Sequence, residues 1–261
     1  MFKQMKLLAI AGALAASPVV ATSAPAGSII GLVNGKSIVT IDPQTRKVIA
    51  KADIRGAAMI IGFDVRPADG MLYGVTSDGA IVTIDAKTGQ AMMKSRLSEM
   101  LKPGVTATVD FNPVADRMRL MGSDGTSLRV KVDDGKATVD GSHKYKDGDP
   151  NAGKTPRVVT GAYINSFKGT QATALYDIDA ATGALVTQNP PNDGILNTVG
   201  PLGITLSGPV AFNIVAANET NNAWLVTGGS LYSVDLKSGK ATMAGKIQGL
   251  SGSLTDIAWF D

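Results

Sequence analysis

The sequence of 261 residues contains no cysteine and a single histidine. These absences exclude a good deal of chemistry. Without cysteine there is no disulfide, haem thioether, zinc ribbon or thiol nucleophile. One histidine alone is too few for a zinc or copper centre built on nitrogen and sulfur ligands. Lipoprotein anchoring through a lipidated cysteine is excluded for the same reason. No basic stripe runs through the chain, so neither nucleic acid nor an anionic membrane is an expected partner.

What is present starts with an export signal. Lys3 and Lys6 precede an unbroken small and apolar run at 7–16 (LLAIAGALAA), and small residues follow through Ala26. That pattern predicts a signal peptide over residues 1–24, cleaved somewhere between 21 and 26. An uncleaved anchor is the weaker reading, because a bilayer span needs about 20 apolar residues. No second long apolar run exists, so no transmembrane segment is expected in the mature form. The predicted location is the periplasm or the medium. Two of the formal +3 charges belong to Lys3 and Lys6, which leaves the mature chain near neutrality. Roughly 235 residues then remain, enough for one sizeable core over 27–261.

Internal repeats point to the architecture. Segments 60–70 (IIGFDVRPADG) and 106–116 (TATVDFNPVAD) match at a constant offset, with Asp64, Pro67, Asp78 and Gly79 recurring as Asp110, Pro113, Asp124 and Gly125. A second element begins at Ile38 (IVTIDPQTRKV), Ile81 (IVTIDAKTGQA), Leu175 (LYDIDAATGAL) and Leu231 (LYSVDLKSGKA), with a shorter version at Leu128. Each copy reads as strand, tight turn and strand. Its aspartate (Asp42, Asp85, Asp179, Asp235) precedes the turn and can accept hydrogen bonds from turn amides.

Two further apolar stretches precede each hairpin, giving four short strands per repeat, the size of a propeller blade. First strands are expected at 61–65, 108–112, 159–165, 210–215 and 255–260. The N-terminal repeat has only its last three strands, and the C-terminal LTDIAWFD supplies the missing one. The sequence therefore predicts an all-β, five-bladed β-propeller whose N- and C-terminal strands share a blade, leaving no open array edge. Equal repeats with a split terminal unit argue against the competing irregular β-sandwich. A brief helix is expected at 95–101.

These residues carry a family likeness. The segments 62–79 (GFDVRPADGMLYGVTSDG), 109–125 (VDFNPVADRMRLMGSDG), 162–179 (AYINSFKGTQATALYDID) and 185–203 (LVTQNPPNDGILNTVGPLG) resemble a bacterial exported family, domain of unknown function 4394. The likeness runs from about Ile30 to Phe260, and its run from Asn189 to Gly194 (NPPNDG) is distinctive. It implies the propeller fold and an exported location, and it adds no mechanism.

Candidate chemistry is sparse. His143 sits in a polar stretch without apolar neighbours, a poor cradle for a Ser–His–acid triad. Asp147, Asp149 and Asn151 alternate as calcium ligands do, although Val158 stands where a calcium loop would place its bidentate glutamate; a plain turn is the simpler reading. Asp64, Asp110, Asn213 and Asp256 occupy comparable places on first strands. Pointing inward they could ring the channel and hold a metal, or bond backbone amides between blades, which the repetition favours.

Two connections, 133–157 and 188–208, are longer than the rest and are expected to join outer to inner strands on one face, flanking blade 4. They carry Lys144, Tyr145, Arg157, Asn189, Asn192, Asp193 and Asn197, and long loops on a rigid scaffold are where binding tends to live. The resulting expectation is a non-catalytic binding module for an unknown protein, small molecule or glycan, with no required cofactor and calcium as an option. The alternatives are a calcium-dependent hydrolase of lactonase type using channel carboxylates, and a structural part of an envelope assembly. Expression with the full N-terminus should yield a mature protein that begins between residues 22 and 27. N-terminal sequencing or intact mass checks this, and an intact Met1 would refute the export reading.

Overall fold

The computed structural model describes residues 27–217 and 220–260. The predicted signal segment lies outside the described residues. Short alternating apolar runs broken by glycine turns fold as antiparallel strands, and there are 21 of them among the described residues.

Blade 1 holds β1 (Ser28–Val33), β2 (Ser37–Asp42) and β3 (Lys47–Asp53). Blade 2 is β4 (Ile60–Val65), β5 (Leu72–Thr76), β6 (Ala80–Ile84) and β7 (Ala91–Arg96). Blade 3 is β8 (Ala107–Asn112), β9 (Arg117–Gly122), β10 (Ser127–Lys131) and β11 (Lys136–Val139). A two-residue strand, β12 (Lys144–Tyr145), precedes blade 4, which comprises β13 (Val158–Tyr163), β14 (Leu175–Asp179), β15 (Ala184–Gln188) and β16 (Ile195–Pro201). Blade 5 is β17 (Val210–Ala217), β18 (Thr220–Thr227), β19 (Ser230–Val234) and β20 (Ala241–Lys246), and β21 (Leu254–Phe260) ends the chain.

The sheet orders confirm a five-bladed propeller, with β21 completing blade 1 in the order β21-β1-β2-β3. Ile30 pairs with Ala258 and Gly31 with Ile257, so the chain ends close the ring where the repeats predicted. The inner strands β4, β8, β13, β17 and β21 pack against one another around the central axis. Apolar clusters fill the spaces between blades, for example Tyr73, Val109, Phe111 and Leu120 between blades 2 and 3. Among the described residues no helix is long and apolar enough to cross a membrane.

Three expectations need correction. Residues 95–101 are not helical: Ser95 and Arg96 end β7, where the ladder pairs Ser95 with Ile81. Tertiary pairing overrides a local tendency there. The segment 188–208 is not one connection, since β16 lies within it as the outer strand of blade 4. The copy LYDIDAATGAL forms β14 and β15, the second and third strands of its blade, whereas IVTIDAKTGQA forms β6 and β7, the third and outer strands. A strand–Asp–turn–strand unit is a generic hairpin, and its place in the blade is set by what it packs against. Blade 4 also gains a fifth strand, because β12 pairs parallel to β16.

Hairpin turns lock neighbouring blades at their outer strands. The Gly135 carbonyl accepts the N–H of Ser98, just beyond β7, at 3.0 Å. Gly135 has φ of 72°, and a Cβ there would overlap the Arg96 carbonyl. Gly148, at φ of 82°, has open space around it. Gly135→Ala should therefore cost roughly 2–3 kcal/mol by adding a steric clash to backbone strain, and Gly148→Ala about 1 kcal/mol from strain alone. Thermal melts of the two variants check the difference.

Candidate functional site

The inner-strand carboxylates come first, because they hold the ring. Asp256 Oδ2 accepts the Phe63 N–H of blade 2 at 3.0 Å, Asp64 Oδ2 accepts the Phe111 N–H of blade 3 at 3.2 Å, and Asp110 Oδ1 accepts the Tyr163 N–H of blade 4 at 3.1 Å. Of the two roles open to them in the sequence, each performs the backbone-bonding one. Asn213 donates Nδ2 to Asp64 Oδ1 at 3.3 Å. Burial pushes Asp64 up to about 7 and holds Asp110 and Asp256 well above the usual carboxylate range, with Asp64 adding repulsion to both. Among the described residues no three His, Asp or Glu side chains form a group that could hold a metal ion.

The turn aspartates behave as expected. Asp42, Asp85 and Asp235 each accept two turn N–H groups, which holds their carboxyls below the ordinary range. Asp179 does more. Its carboxylate accepts the Tyr145 hydroxyl, the Thr182 hydroxyl and the N–H groups of Arg157 and Ala181. Those bonds outweigh its burial and keep it ionised.

The structure brings the two long segments together through backbone hydrogen bonds. Gly141 N–H donates to Asn192 O at 2.9 Å and Lys144 N–H to Gly194 O at 3.0 Å. Tyr145, expected on a surface loop, is buried and anchored on Asp179. Asp149 accepts the N–H and hydroxyl of Thr198, both at 2.7 Å, and Asn151 donates to the same hydroxyl while accepting Lys154 Nζ. Asp147, Lys144, Arg157, Asn189, Asn192 and Asp193 are exposed, and Asn197 donates to Asn189 O. The polar part, 189–194, is the third-to-outer turn of blade 4. Antiparallel order puts it on the face of the inner-to-second turns, opposite the expected one.

Arg119 pins that turn from inside. Almost wholly buried, it donates to Asn192 Oδ1, Asp140 Oδ2, Ser127 Oγ and the Tyr163 hydroxyl. Beside it opens a cleft of about 500 Å³ between blades 3 and 4. Its walls are three turns, 112–115, 171–174 and 187–191, and Tyr163 and Gln188 lie at its base. Asn112, Gln171, Thr173, Thr187 and Gln188 escaped the sequence reading. The available signal was the long stretch between Tyr163 and Leu175, which is the longest inner-to-second connection in the ring.

A family model for a domain of unknown function, DUF4394, matches residues 37–258. The chain belongs to the DUF4394 family. No curated protein matches the sequence. Among solved structures, the DUF4394 protein is similar to a protein of unknown function from Bacteroides caccae, at 14% identity over 84% of this chain and 73% of that one, with a TM-score of 0.43. Two auxiliary nutrient binding proteins also match. The one from Bacteroides thetaiotaomicron shows 14% identity and a TM-score of 0.45, and the one from Bacteroides ovatus 13% and 0.48. Each match covers 75% of this chain and 55% of the other, so the chain spans about half of their length.

Behind the cleft, the DUF4394 protein keeps polar groups without protein partners. Asp177 is wholly buried and neither carboxylate oxygen has a hydrogen-bond partner. It fills the space left by Gly161, its cross-strand neighbour, whose Cβ would collide with Asp177 Oδ1. Burial pushes Asp177 up to about 8, against the opposing pull of Arg119. His143 is not in an open polar loop. It is buried, because β12 draws its segment against blade 4, and neither ring nitrogen reaches a partner. Burial, then the charge of Arg119, lowers it to about 4.

Asp177 binds its proton more tightly folded than unfolded, so its contribution to stability declines as pH rises from about 4 towards 8. His143 has the opposite sign, but its window closes by about 6.5. Between pH 6.5 and 8 the protein should therefore lose stability with rising pH, by up to about 1.4 kcal/mol per pH unit for each such carboxyl. Asp177→Asn should make that slope shallower, with the remainder carried by Asp64, Asp110 and Asp256. Equal slopes in melts at pH 6.5, 7.2 and 8 would refute the assignment.

Proposed function

We propose that this DUF4394 protein is an exported, non-catalytic binding module that holds a neutral, hydroxyl-rich ligand of the glycan class in the cleft between blades 3 and 4. One observation carries the reading. Among the described residues no charged side chain lines the cleft, while Asn112, Tyr163, Gln171, Thr173, Thr187, Gln188 and Asn189 supply amides and hydroxyls. Amide groups donate and accept in pairs, and hydroxyls do both, which matches a polyol better than an ion. Apolar contact from Val114, Ala115, Leu175 and Pro191 suits the C–H faces of a sugar ring. The volume falls within the usual range for small-ligand pockets.

Preorganisation supports the same reading. Asn189 N–H donates to Ile195 O and Gln188 Nε2 to Pro191 O, while Asn165 and Asn221 exchange hydrogen bonds beneath the 164–174 connection. A wall already fixed loses little entropy when a ligand docks. A hydrolytic reading lacks its parts. His143 reaches no hydroxyl, and the inner carboxylates are engaged with backbone amides. The signal pattern at residues 1–24 supports the exported location.

Calorimetry and thermal melts against neutral mono- and oligosaccharides test the proposal. A glycan at a hundred times its dissociation constant should stabilise the protein by about 2.7 kcal/mol. Ala115→Trp, which fills the cleft from an exposed turn, should abolish binding without lowering the melting temperature, and Gln171→Ala with Asn189→Ala should weaken it. Binding that survives Ala115→Trp, or no response to any neutral glycan, would reject the reading.

A further inference from the structure

A second cavity, independent of the cleft, opens at the mouth of the central channel. It measures about 240 Å³, the space of about eight water molecules at ~30 Å³ each. Three inner strands build it: β4 through Asp64 and Val65, β17 through residues 213–216, and β21 through Trp259 and Phe260. Ser166, Pro67 and Gly70 complete the rim.

The chemistry of this cavity is one-sided. Asp64 and Asn213 are 6% and 8% exposed, and both line it. The Asn213 amide gives one of its two N–H groups to Asp64 Oδ1, and its Oδ1 accepts no hydrogen bond from the described residues. The Ser166 hydroxyl, also in the lining, donates to Tyr163 O. The Asp64 carboxyl and the Asn213 amide carbonyl are therefore two buried acceptors that face the cavity. Among the described residues no Lys or Arg lines the cavity. Arg66, adjacent in sequence, is turned to Asp69 and Asp116.

From this arrangement we infer that the channel mouth is a binding site for a small primary ammonium group. A protonated amine brings three N–H donors and no acceptor, the complement of Asp64 and Asn213. Trp259 and Phe260 supply aromatic surface, which attracts a cation through the ring quadrupole. Inorganic divalent ions fit less well, since no group of three acidic or histidine side chains converges among the described residues. The cavity admits an amine of a few heavy atoms. The site differs from the cleft in residues, charge and ligand, so either can fail without the other.

The test uses n-propylammonium with 1-propanol as its neutral isostere, titrated into the purified protein and followed by amide chemical shifts and calorimetry. The amine should bind with shifts at Asp64, Asn213 and Phe260, and the alcohol at least tenfold more weakly. Asp64→Asn should reduce amine affinity at least tenfold, and Asn213→Leu should do the same while keeping the carboxyl. If Asp64→Asn does not fold, Asn213→Leu and the mouth-filling Gly70→Trp decide, and amine binding must be lost in both. The proposal is overturned if the amine does not bind, if propanol binds equally well, or if the folded variants retain wild-type affinity.

Discussion

The ring depends on buried carboxylates that accept backbone N–H groups of the next blade. An inner strand is paired on one side only, and its other edge faces the channel and a neighbouring blade. An N–H buried there without a partner would cost about 1–3 kcal/mol. Asp256, Asp64 and Asp110 supply that partner at three successive joints. Without cysteine, no covalent link shares the task. The closure of blade 1 by β21 matters for the same reason, because β21 carries the aspartate that grips blade 2.

Carboxylates used this way are removed from water, and no lysine or arginine joins them at the channel mouth among the described residues. Burial shifts them towards the protonated form. The structural device therefore leaves a row of buried carboxyl groups that ends in a cavity lined by acceptors. The cleft between blades 3 and 4 lies on the same face of the ring and is its opposite in character, neutral and lined by amides and hydroxyls. One surface thus offers two distinct chemistries within a single rigid scaffold.

Blade 4 departs most from the repeat. Its inner strand has Gly161, and Asp177 enters that space from the second strand. Its outer edge is covered by β12, and its third-to-outer turn is held by Arg119 from blade 3. Breaking repeat symmetry at one blade creates the cleft, because the neighbours no longer close against it with equivalent turns. Polar groups in that seam, Asp177 and His143, are left without hydrogen-bond partners among the described residues.

Sequence alone determined the blade count, the closing strand pair and the role of the turn aspartates. Repeats and alternation are local patterns, and the offset between Asp64 and Asp110 is readable without coordinates. The location of the cleft was legible only in part: Asn189 was singled out, but Gln171, Thr173, Thr187 and Gln188 were not. A hairpin motif carries no mark of which strands of a blade it will form, so LYDIDAATGAL was read one strand out of place and β16 was missed. Burial of His143 and Tyr145 followed from β12 docking on β16, a contact between segments about fifty residues apart. Only tertiary packing decides such matters, because the free energy of burying a side chain depends on what lies against it.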